Sequence, residues 1–423
     1  MARDRNGSAR PKVWRALGLG LITGAADDDP SAIGTYASAG AKLGPSFLWT
    51  APVTFPMMFA VVYLSSKLGQ VTGKGLFAVI RDHYPRWLLH AALVGVLIGN
   101  TIEAGADIGG MVASIELLVP LPKNLIVVVV TATILALQFW GSYRIIRNVF
   151  RWLALTLLAY VGAAIWAKPN VGEIVRGTLV PQIRFDREFL SLLVAVIGTT
   201  LSAYLYTWQS NEEVEEKRVN GEIHEGRNHV SRAQLTQTKW DIVFGMLFSN
   251  LIMYFIILAT GSTLHKAGTT EIRTAADAAQ ALRPLAGNAA GLLFSLGVIG
   301  VGFLAVPVMT TGAAYDLCQA FGWKHGLGLK PCEGKLFYGT IVVVTLVAMG
   351  MNFLGIHPIR ALVWSGIVQG FSTPPLMLLI LLMTNNEAIM GKRVNSTALN
   401  VLGWVTFVAI ASATIGLVVT WIL

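Results

Sequence analysis

The run GAADDDPSAIGTYASAGAKLG at residues 24–44 decides the fold, because it places Asp27, Asp28 and Asp29 inside the first apolar segment of the chain. A charged side chain at membrane depth is costly, so carboxylates there indicate a functional site. The Asp29-Pro30 step also breaks a helix, since proline lacks an N–H and the residue before it avoids the α conformation. A broken helix with carboxylates at the break is typical of a cation site near the membrane midplane.

The composition predicts a polytopic membrane protein. Hydrophobic residues make up 54% of the 423 residues and charged residues only 13%, which is outside the range of soluble proteins. No polar stretch is long enough to fold as a separate soluble domain. Eleven apolar runs are long enough to span a membrane, at 14–41, 46–68, 88–119, 123–141, 148–167, 188–216, 239–264, 288–321, 336–356, 360–384 and 398–423.

The distribution of basic residues orients the chain. The first apolar run contains the aspartates, so it is not a cleavable signal peptide. Lys and Arg concentrate in the segments that are cytoplasmic when the N-terminus is inside. Eleven spans then place the C-terminus at the external face. We therefore expect an integral protein of the plasma (inner) membrane, with the lipid bilayer as its surroundings and a composition compatible with a monomer.

The charge distribution, the cysteines and the motifs of the sequence argue against several classes of protein. The net charge of +9 is scattered over loops, which argues against a nucleic-acid partner. Cys318 and Cys332 lie near one predicted loop, where neither a disulfide nor a metal site is expected. No nucleotide-binding loop occurs, so an ATP-driven pump is not expected. Asp107 in GADIG and Asp316 in AYD superficially resemble the aspartates of intramembrane proteases, but their order and context differ. We predict no enzyme activity and no cofactor.

The sixth span, LLVAVIGTTLSAYLYTWQSNEEVEEK at 192–217, has a second soft point at 198–202. Five spans separate the two breaks, and this odd number gives the halves inverted topology. Breaks at corresponding positions of two halves are a pointer to a transporter's binding site. Gly and Thr also occur in ordinary packed helices, which is the alternative interpretation. The predicted division is a tail at 1–13 and one transmembrane domain at 14–423, with repeats at 14–167 and 188–384 and an extra helix at 398–423.

Asp29 is the strongest candidate for a cation ligand, because an unwound segment presents backbone carbonyls beside its carboxylate. Alternatively, Asp29 caps the half-helix that starts at Ser31. Three acids in a row exceed what one cap needs. Since three adjacent carboxylates cannot all face one ion, we expect Asp27 or Asp28 to face the aqueous pathway or to be protonated.

Glu103 and Asp107 lie four residues apart in the third span and therefore share a helix face. Such a pair relays protons or lines a cation pathway. The alternative is an ion pair with Lys or Arg from another span. The predicted spans contain almost no central basic residue, so the pathway role is favoured.

Polar groups in the sixth and tenth spans are candidates for completing an oxygen site. The alternative for each is a simple hydrogen bond between helices. Glu212, Glu213, Glu215 and Glu216 are predicted to be a solvated helix end, and all seven histidines fall in loops or near span ends. The candidates are Thr199, Thr200, Ser202, Tyr204, Gln209 and Gln369.

At these residues the chain resembles the Nramp family (natural resistance-associated macrophage proteins), proton-coupled transporters of divalent transition metals. The segment Asp29-Pro30-Ser31-Ala32 occupies the place of the family's Asp-Pro-Gly-Asn, and Ser202-Ala203-Tyr204 that of Met-Pro-His. The stretch LFSLGVIG at 293–300 is similar to the family's eighth span. The resemblance implies an all-α LeuT-type fold with two five-helix inverted repeats, an eleventh helix, and interrupted helices 1 and 6.

The departures from the family pattern bear on the cargo. Ala32 replaces an asparagine ligand, and Ser202 replaces a methionine, so a soft thioether gives way to a hard hydroxyl. Tyr204 replaces a histidine, which removes a proton route through that position. Glu103 sits one place earlier than the family's first acid in the third span, and Gln369 lies about a turn from the family's glutamine.

These changes resemble those of the divergent Nramp-related branch that includes magnesium transporters. They imply a secondary transporter that accepts Mg2+ and/or Mn2+ as substrate by alternating access, with doubtful proton coupling. The alternatives are a LeuT-fold symporter of an amino acid or other organic solute, whose carboxylate three aspartates would repel, and a non-transporting metal sensor. The expected metal site is Asp29, Ala26, Thr199, Ser202, Tyr204 and Gln369, and the expected pathway is Asp28, Glu103 and Asp107.

Overall fold

A computed structural model describes residues 19–140, 155–219 and 230–422 of the chain. Within these ranges the chain is helical and has no strand, and helices lie in all eleven predicted spans. Spans 1 to 6 are Leu19–Asp27 with Pro30–Leu43, Thr50–Thr72, Arg86–Leu118, Lys123–Trp140, Ala159–Trp166, and Arg187–Thr200 with Ala203–Val219. Spans 7 to 11 are Arg232–Thr260, Ala290–Phe321, Lys335–Met351, Pro358–Asn385 and Thr397–Ile422.

Shorter elements connect the spans. The short α-helices are Leu76–His83, Val171–Leu179, Ala275–Ala279, Arg283–Ala286 and Glu387–Met390. The 3-10 turns are Gly44–Phe47, Leu155–Leu158, Gln280–Leu282, Gly287–Ala289 and Gly391–Arg393, and a π-turn covers Gly261–His265. The predicted tail at 1–13, the beginnings of the first and fifth spans, His224 and His229 lie outside the described residues.

The helices have the length and composition of membrane spans. Among the described residues, eight helical segments are long and apolar enough to cross a membrane. The first span is divided into two short halves, the fifth is described only in part, and the ninth has 17 residues. The chain is therefore built as an integral membrane protein.

The first break forms as the proline predicts. Pro30 occupies the first turn of the second half-helix, where its missing N–H costs nothing. Asp29 is extended, with φ −65° and ψ 172°, and its Oδ1 accepts a hydrogen bond of 2.7 Å from the Ala32 N–H. Asp29 therefore does cap the half-helix, as the alternative interpretation proposed.

The second break leaves backbone carbonyls that side-chain hydroxyls satisfy. The helix stops at Thr200 and resumes at Ala203. The Ser202 hydroxyl lies 2.9 Å from the carbonyl oxygens of both Gly198 and Thr199. The Leu201 carbonyl accepts a 2.9 Å hydrogen bond from Thr373 of the tenth span. These hydroxyls stabilise the unwound segment, which is buried.

Glycines bring both interrupted spans into backbone contact with neighbouring helices. A Cβ added at Gly24 would lie 2.2 Å from the Gly245 carbonyl oxygen of the seventh span. A Cβ added at Gly198 would lie 1.9 Å from the Gly366 carbonyl oxygen of the tenth span. Only glycine permits this approach, which is how membrane helices pack closely. The contacts hold the two breaks in the interior of the bundle.

Candidate cation site at the two helix breaks

The two breaks meet at the hydroxyl of Tyr204. This oxygen lies 2.9 Å from Oδ2 of Asp29 and 2.8 Å from the carbonyl oxygen of Ala26. The hydroxyl has one proton and donates to one of the two acceptors at a time. All three residues are fully buried. The sequence-predicted ligands Asp29, Ala26 and Tyr204 therefore come together, with three oxygens facing one point between spans 1 and 6.

Glu103 gathers the remaining predicted ligands on the other side of the second break. Its Oε2 accepts a 2.7 Å hydrogen bond from Nε2 of Gln369. Its Oε1 lies 3.0 Å from the Ser202 hydroxyl, whose single proton is shared between this carboxylate and the Gly198 and Thr199 carbonyls. The Gln369 Nε2 also lies 3.3 Å from Oδ1 of Asn100. Ser202 and Gln369 thus contact Glu103, and the Thr199 carbonyl contacts the Ser202 hydroxyl, without a direct hydrogen bond to Asp29 among the described contacts.

Asp107 ties the third span to the second half of the first. Its Oδ1 accepts hydrogen bonds from the Ser31 backbone N–H at 2.9 Å and from the Ser31 hydroxyl at 2.6 Å. The Ser31 hydroxyl in turn accepts from Ser365 at 3.0 Å. Two carboxylates, those of Asp29 and Asp107, therefore lie at one helix N-terminus, where the helix dipole favours negative charge.

Asp27 and Asp28 face the seventh span instead. The Ser249 hydroxyl donates a short hydrogen bond to Oδ2 of Asp27 and lies 3.2 Å from Oδ1 of Asp28. We expected Asp28 to line one pathway with Glu103 and Asp107. The structure does not bring Asp28 into direct contact with either of them. The second oxygens of Asp27, Asp28 and Asp107 are buried and have no hydrogen-bond partner.

The site is strongly electronegative. Asp29, Glu103 and Asp107 are fully buried and lie within electrostatic range of one another. None of the ion pairs among the described residues involves these three carboxylates. Within the same residues, no three His, Cys, Asp or Glu side chains form a metal-binding group. A cation here would be held by one carboxylate and neutral oxygens, the ligands that hard ions prefer.

The sequence missed the partners that fix these acids. Ser31 and Ser249 hold Asp107 and Asp27, and Asn100 contacts Gln369. The pair Ser249-Asn250 interrupts an apolar span, which is a signal the sequence offered. The alternative interpretation of Glu103 and Asp107 proposed partners with basic side chains. Their partners are neutral donors from the first, sixth and tenth spans.

The prediction of a solvated end for the sixth span was wrong for two of its four glutamates. Glu212 and Glu213 are only 7% and 8% exposed. Oε1 of Glu213 accepts hydrogen bonds from Ser66 at 3.0 Å and from Gln209 at 3.1 Å. The second span covers this part of the helix, whereas Glu216 is exposed. The sixth span therefore carries buried acids well beyond its break.

The aspartates that superficially resemble a protease pair have different partners. Asp107 is bonded to Ser31, and Asp316 accepts a 3.3 Å hydrogen bond from Asn211. These contacts give the two carboxylates no shared proton, which such a mechanism requires.

Comparison with known proteins agrees with this architecture. The family model described as natural resistance-associated macrophage protein-like matches residues 20–420. A manganese transporter of Eremococcus coleocola, solved with an aromatic bis-isothiourea substituted compound, superposes with a TM-score of 0.75 at 15% identity, covering 98% of this chain and 88% of that one. The nucleobase-cation-symport-1 family transporter Mhp1, in a closed conformation, gives a TM-score of 0.61 at 14% identity, covering 96% and 90%. The predicted all-α LeuT-type fold, with inverted repeats and an eleventh helix, is confirmed.

Proposed function

Because the chain belongs to the Nramp family, we propose that it carries divalent metal cations across the membrane by alternating access. One observation carries the proposal: Asp29 and the Ala26 carbonyl, both at the first break, converge on Tyr204 just beyond the second. The similar Eremococcus coleocola structure is that of a manganese transporter. A transporter rather than an enzyme also agrees with the family.

Asp29 is the principal ligand in this proposal. Its Oδ2 and the Ala26 carbonyl oxygen each lie within hydrogen-bond distance of the Tyr204 hydroxyl oxygen, at 2.9 and 2.8 Å. A cation between them takes the place of the hydrogen bond: the Tyr204 hydroxyl keeps its proton, turns it away and offers an oxygen lone pair. The Thr199 carbonyl, Ser202 and Gln369 lie on the Glu103 side and contact the water that a hydrated ion retains.

The cargo is a hard ion, Mg2+ or Mn2+. The converging atoms at Asp29, Ala26 and Tyr204 are all oxygens, and the residue at the thioether position of the family motif is Ser202. Carboxylate, carbonyl and hydroxyl oxygens suit Mg2+ and Mn2+ rather than softer ions. The metal is the transported substrate, and the proposal needs no bound cofactor.

The remaining acids form the approach to this position. Unpartnered oxygens of Asp27, Asp28 and Asp107 add negative potential that attracts a hydrated cation. Glu103 and Asp107 line the pathway from the third span. Tyr204 stands where the family has a histidine, so we propose that transport lacks stoichiometric proton coupling. We place the chain in the plasma (inner) membrane, with the N-terminus cytoplasmic and repeats at 14–167 and 188–384.

Thermal unfolding of the purified protein tests the class of cargo. A ligand that binds only the folded state at a hundred times its Kd stabilises that state by about 2.7 kcal/mol. We expect Mn2+ and Mg2+ to raise the unfolding temperature in detergent, and amino acids to leave it unchanged. Stabilisation by amino acids without any effect of divalent ions would reverse the assignment in favour of an organic-solute symporter.

A further inference from the structure

Asp316 of the eighth span is a buried acid that the central site does not use. It is fully buried, and its Oδ1 accepts a 3.3 Å hydrogen bond from Nδ2 of Asn211 in the sixth span. Oδ1 of Asn211 accepts a 2.6 Å hydrogen bond from Nε2 of Gln319. Oδ2 of Asp316 and the side-chain oxygen Oε1 of Gln319 have no hydrogen-bond partner. The eighth span thus presents two unpaired acceptors beside Asn211 of the sixth span.

Open space lies beside this carboxylate. Gly312 is buried, yet a Cβ added there would meet no atom within 4 Å. Gly312 and Asp316 are four residues apart in one helix and share a face. Because helical side chains lean towards the helix N-terminus, the Asp316 carboxylate leans over the turn that contains Gly312. Open space therefore lies beside the turn over which the Asp316 side chain leans.

The pocket beside Asp316, Asn211 and Gln319 favours a cation as its ligand. The unpaired atoms of Asp316 and Gln319 are oxygens that accept hydrogen bonds. None of the ion pairs among residues 19–140, 155–219 and 230–422 involves Asp316. A buried carboxylate without a compensating charge is strongly destabilising, and a bound cation removes that cost.

The pocket lies in line with the central site. The Thr207 hydroxyl is beside the Asp316 carboxyl and lies 3.3 Å from the Tyr204 carbonyl oxygen. Asn211 is seven residues beyond Tyr204, which is about 10 Å along the helix. The Gly75 turn packs against the same side chains, since a Cβ there would lie 2.2 Å from both Oδ1 of Asn211 and Nε2 of Gln319 and 2.4 Å from Oε1 of Gln319.

We propose that Asp316, Asn211 and Gln319 form a second binding position for the divalent cation, between the central site and the predicted cytoplasmic end of the eighth span. This inference rests on the proposed function, because the same ion occupies both positions in turn. A second binding position provides oxygen ligands for an ion that leaves the buried centre and would otherwise cross the apolar interior without any ligand. The ion thus binds at Asp29 and at Asp316 one after the other.

Calorimetric titration of the purified protein with Mn2+ tests the second position. We expect two ions per chain for the parent, one for Asp29→Asn, one for Asp316→Asn, and none for the double variant. Glu387→Gln, an exposed carboxylate on the same predicted face, is the matched control and should still bind two.

Other outcomes separate this inference from the central one. Two ions bound by Asp316→Asn, or a parent that binds only one ion or none, would overturn the second position. Two ions bound by Asp29→Asn and one by Asp316→Asn would overturn the central assignment alone. If Asp316→Asn does not fold, Gly312→Ala is the test variant in its place, because its added methyl group fits the open space beside Asp316. Gly312→Ala should weaken the second binding step at least tenfold without lowering the unfolding temperature, and unchanged binding would overturn the proposal.

Discussion

Asp29→Asn is expected to abolish uptake of Mn2+ and Mg2+ into liposomes while leaving the protein folded. Asparagine caps a helix as well as aspartate does, so the hydrogen bond to the Ala32 N–H is kept. The substitution removes the charge that binds the cation and replaces the oxygen that faces Tyr204 by an amide nitrogen. We expect transport to fall at least about a hundredfold, which corresponds to about 2.8 kcal/mol of lost interaction. The initial rate of metal entry measures the effect.

Two further variants separate charge from capping. Asp29→Ala loses both the charge and the helix cap. Its unfolding temperature should therefore also fall, because removal of a cap costs about 1 kcal/mol. Asp186→Asn is the matched control, because Asp186 caps the start of the sixth span at an exposed position through a 2.8 Å hydrogen bond to the Phe189 N–H. It should transport normally. Parental uptake by Asp29→Asn would show that Asp29 is not the ligand.

Ser202→Met is expected to shift selectivity from Mg2+ towards Cd2+. The substitution places a polarisable thioether where a hydroxyl now donates to Glu103 at 3.0 Å. Thioethers bind softer transition metals, whereas Mg2+ requires oxygen ligands and water. We expect the preference for Cd2+ over Mg2+ to rise about tenfold, equivalent to about 1.4 kcal/mol. Competition of each ion against Mn2+ uptake measures the preference.

Ser202→Leu is the control for size. It adds a side chain of similar volume and removes the same hydroxyl, but it brings no sulfur. Any effect of crowding beside Glu103 should appear in both variants, while the gain for Cd2+ should appear only with methionine. An equal shift in the leucine variant, or no shift in either, would contradict the proposal that the residue at this position sets the hardness of the site.

The break in the first span was predictable because its cause is local. Pro30 removes a backbone donor, and Asp29 lies at the one position where a carboxylate both caps the next half-helix and faces the break. The eleven spans were predictable for the same reason, because each one corresponds to a contiguous apolar run in the sequence. The second break was a weaker signal, since hydroxyls such as Thr373 satisfy its carbonyls from another helix.

The partners of the buried acids were not predictable, because they come from distant parts of the chain. Asp107 is bonded to Ser31, and Glu103 to Gln369 of the tenth span. The burial of Glu212 and Glu213 likewise depends on which helix covers the sixth span. Charged residues near a span end were expected to be solvated, but Ser66 of the second span is placed to pair with Glu213.

The most direct test of the central claim is ion uptake into liposomes that contain the parent protein and an internal pH dye, with Mg2+, Mn2+ and Cd2+ compared in parallel. The convergence of oxygens at Asp29, Ala26 and Tyr204 predicts that Mg2+ and Mn2+ both enter, without a matching acidification of the lumen. Vesicles that admit none of the three ions, or that admit Cd2+ and Mn2+ with stoichiometric proton entry and exclude Mg2+, would contradict it.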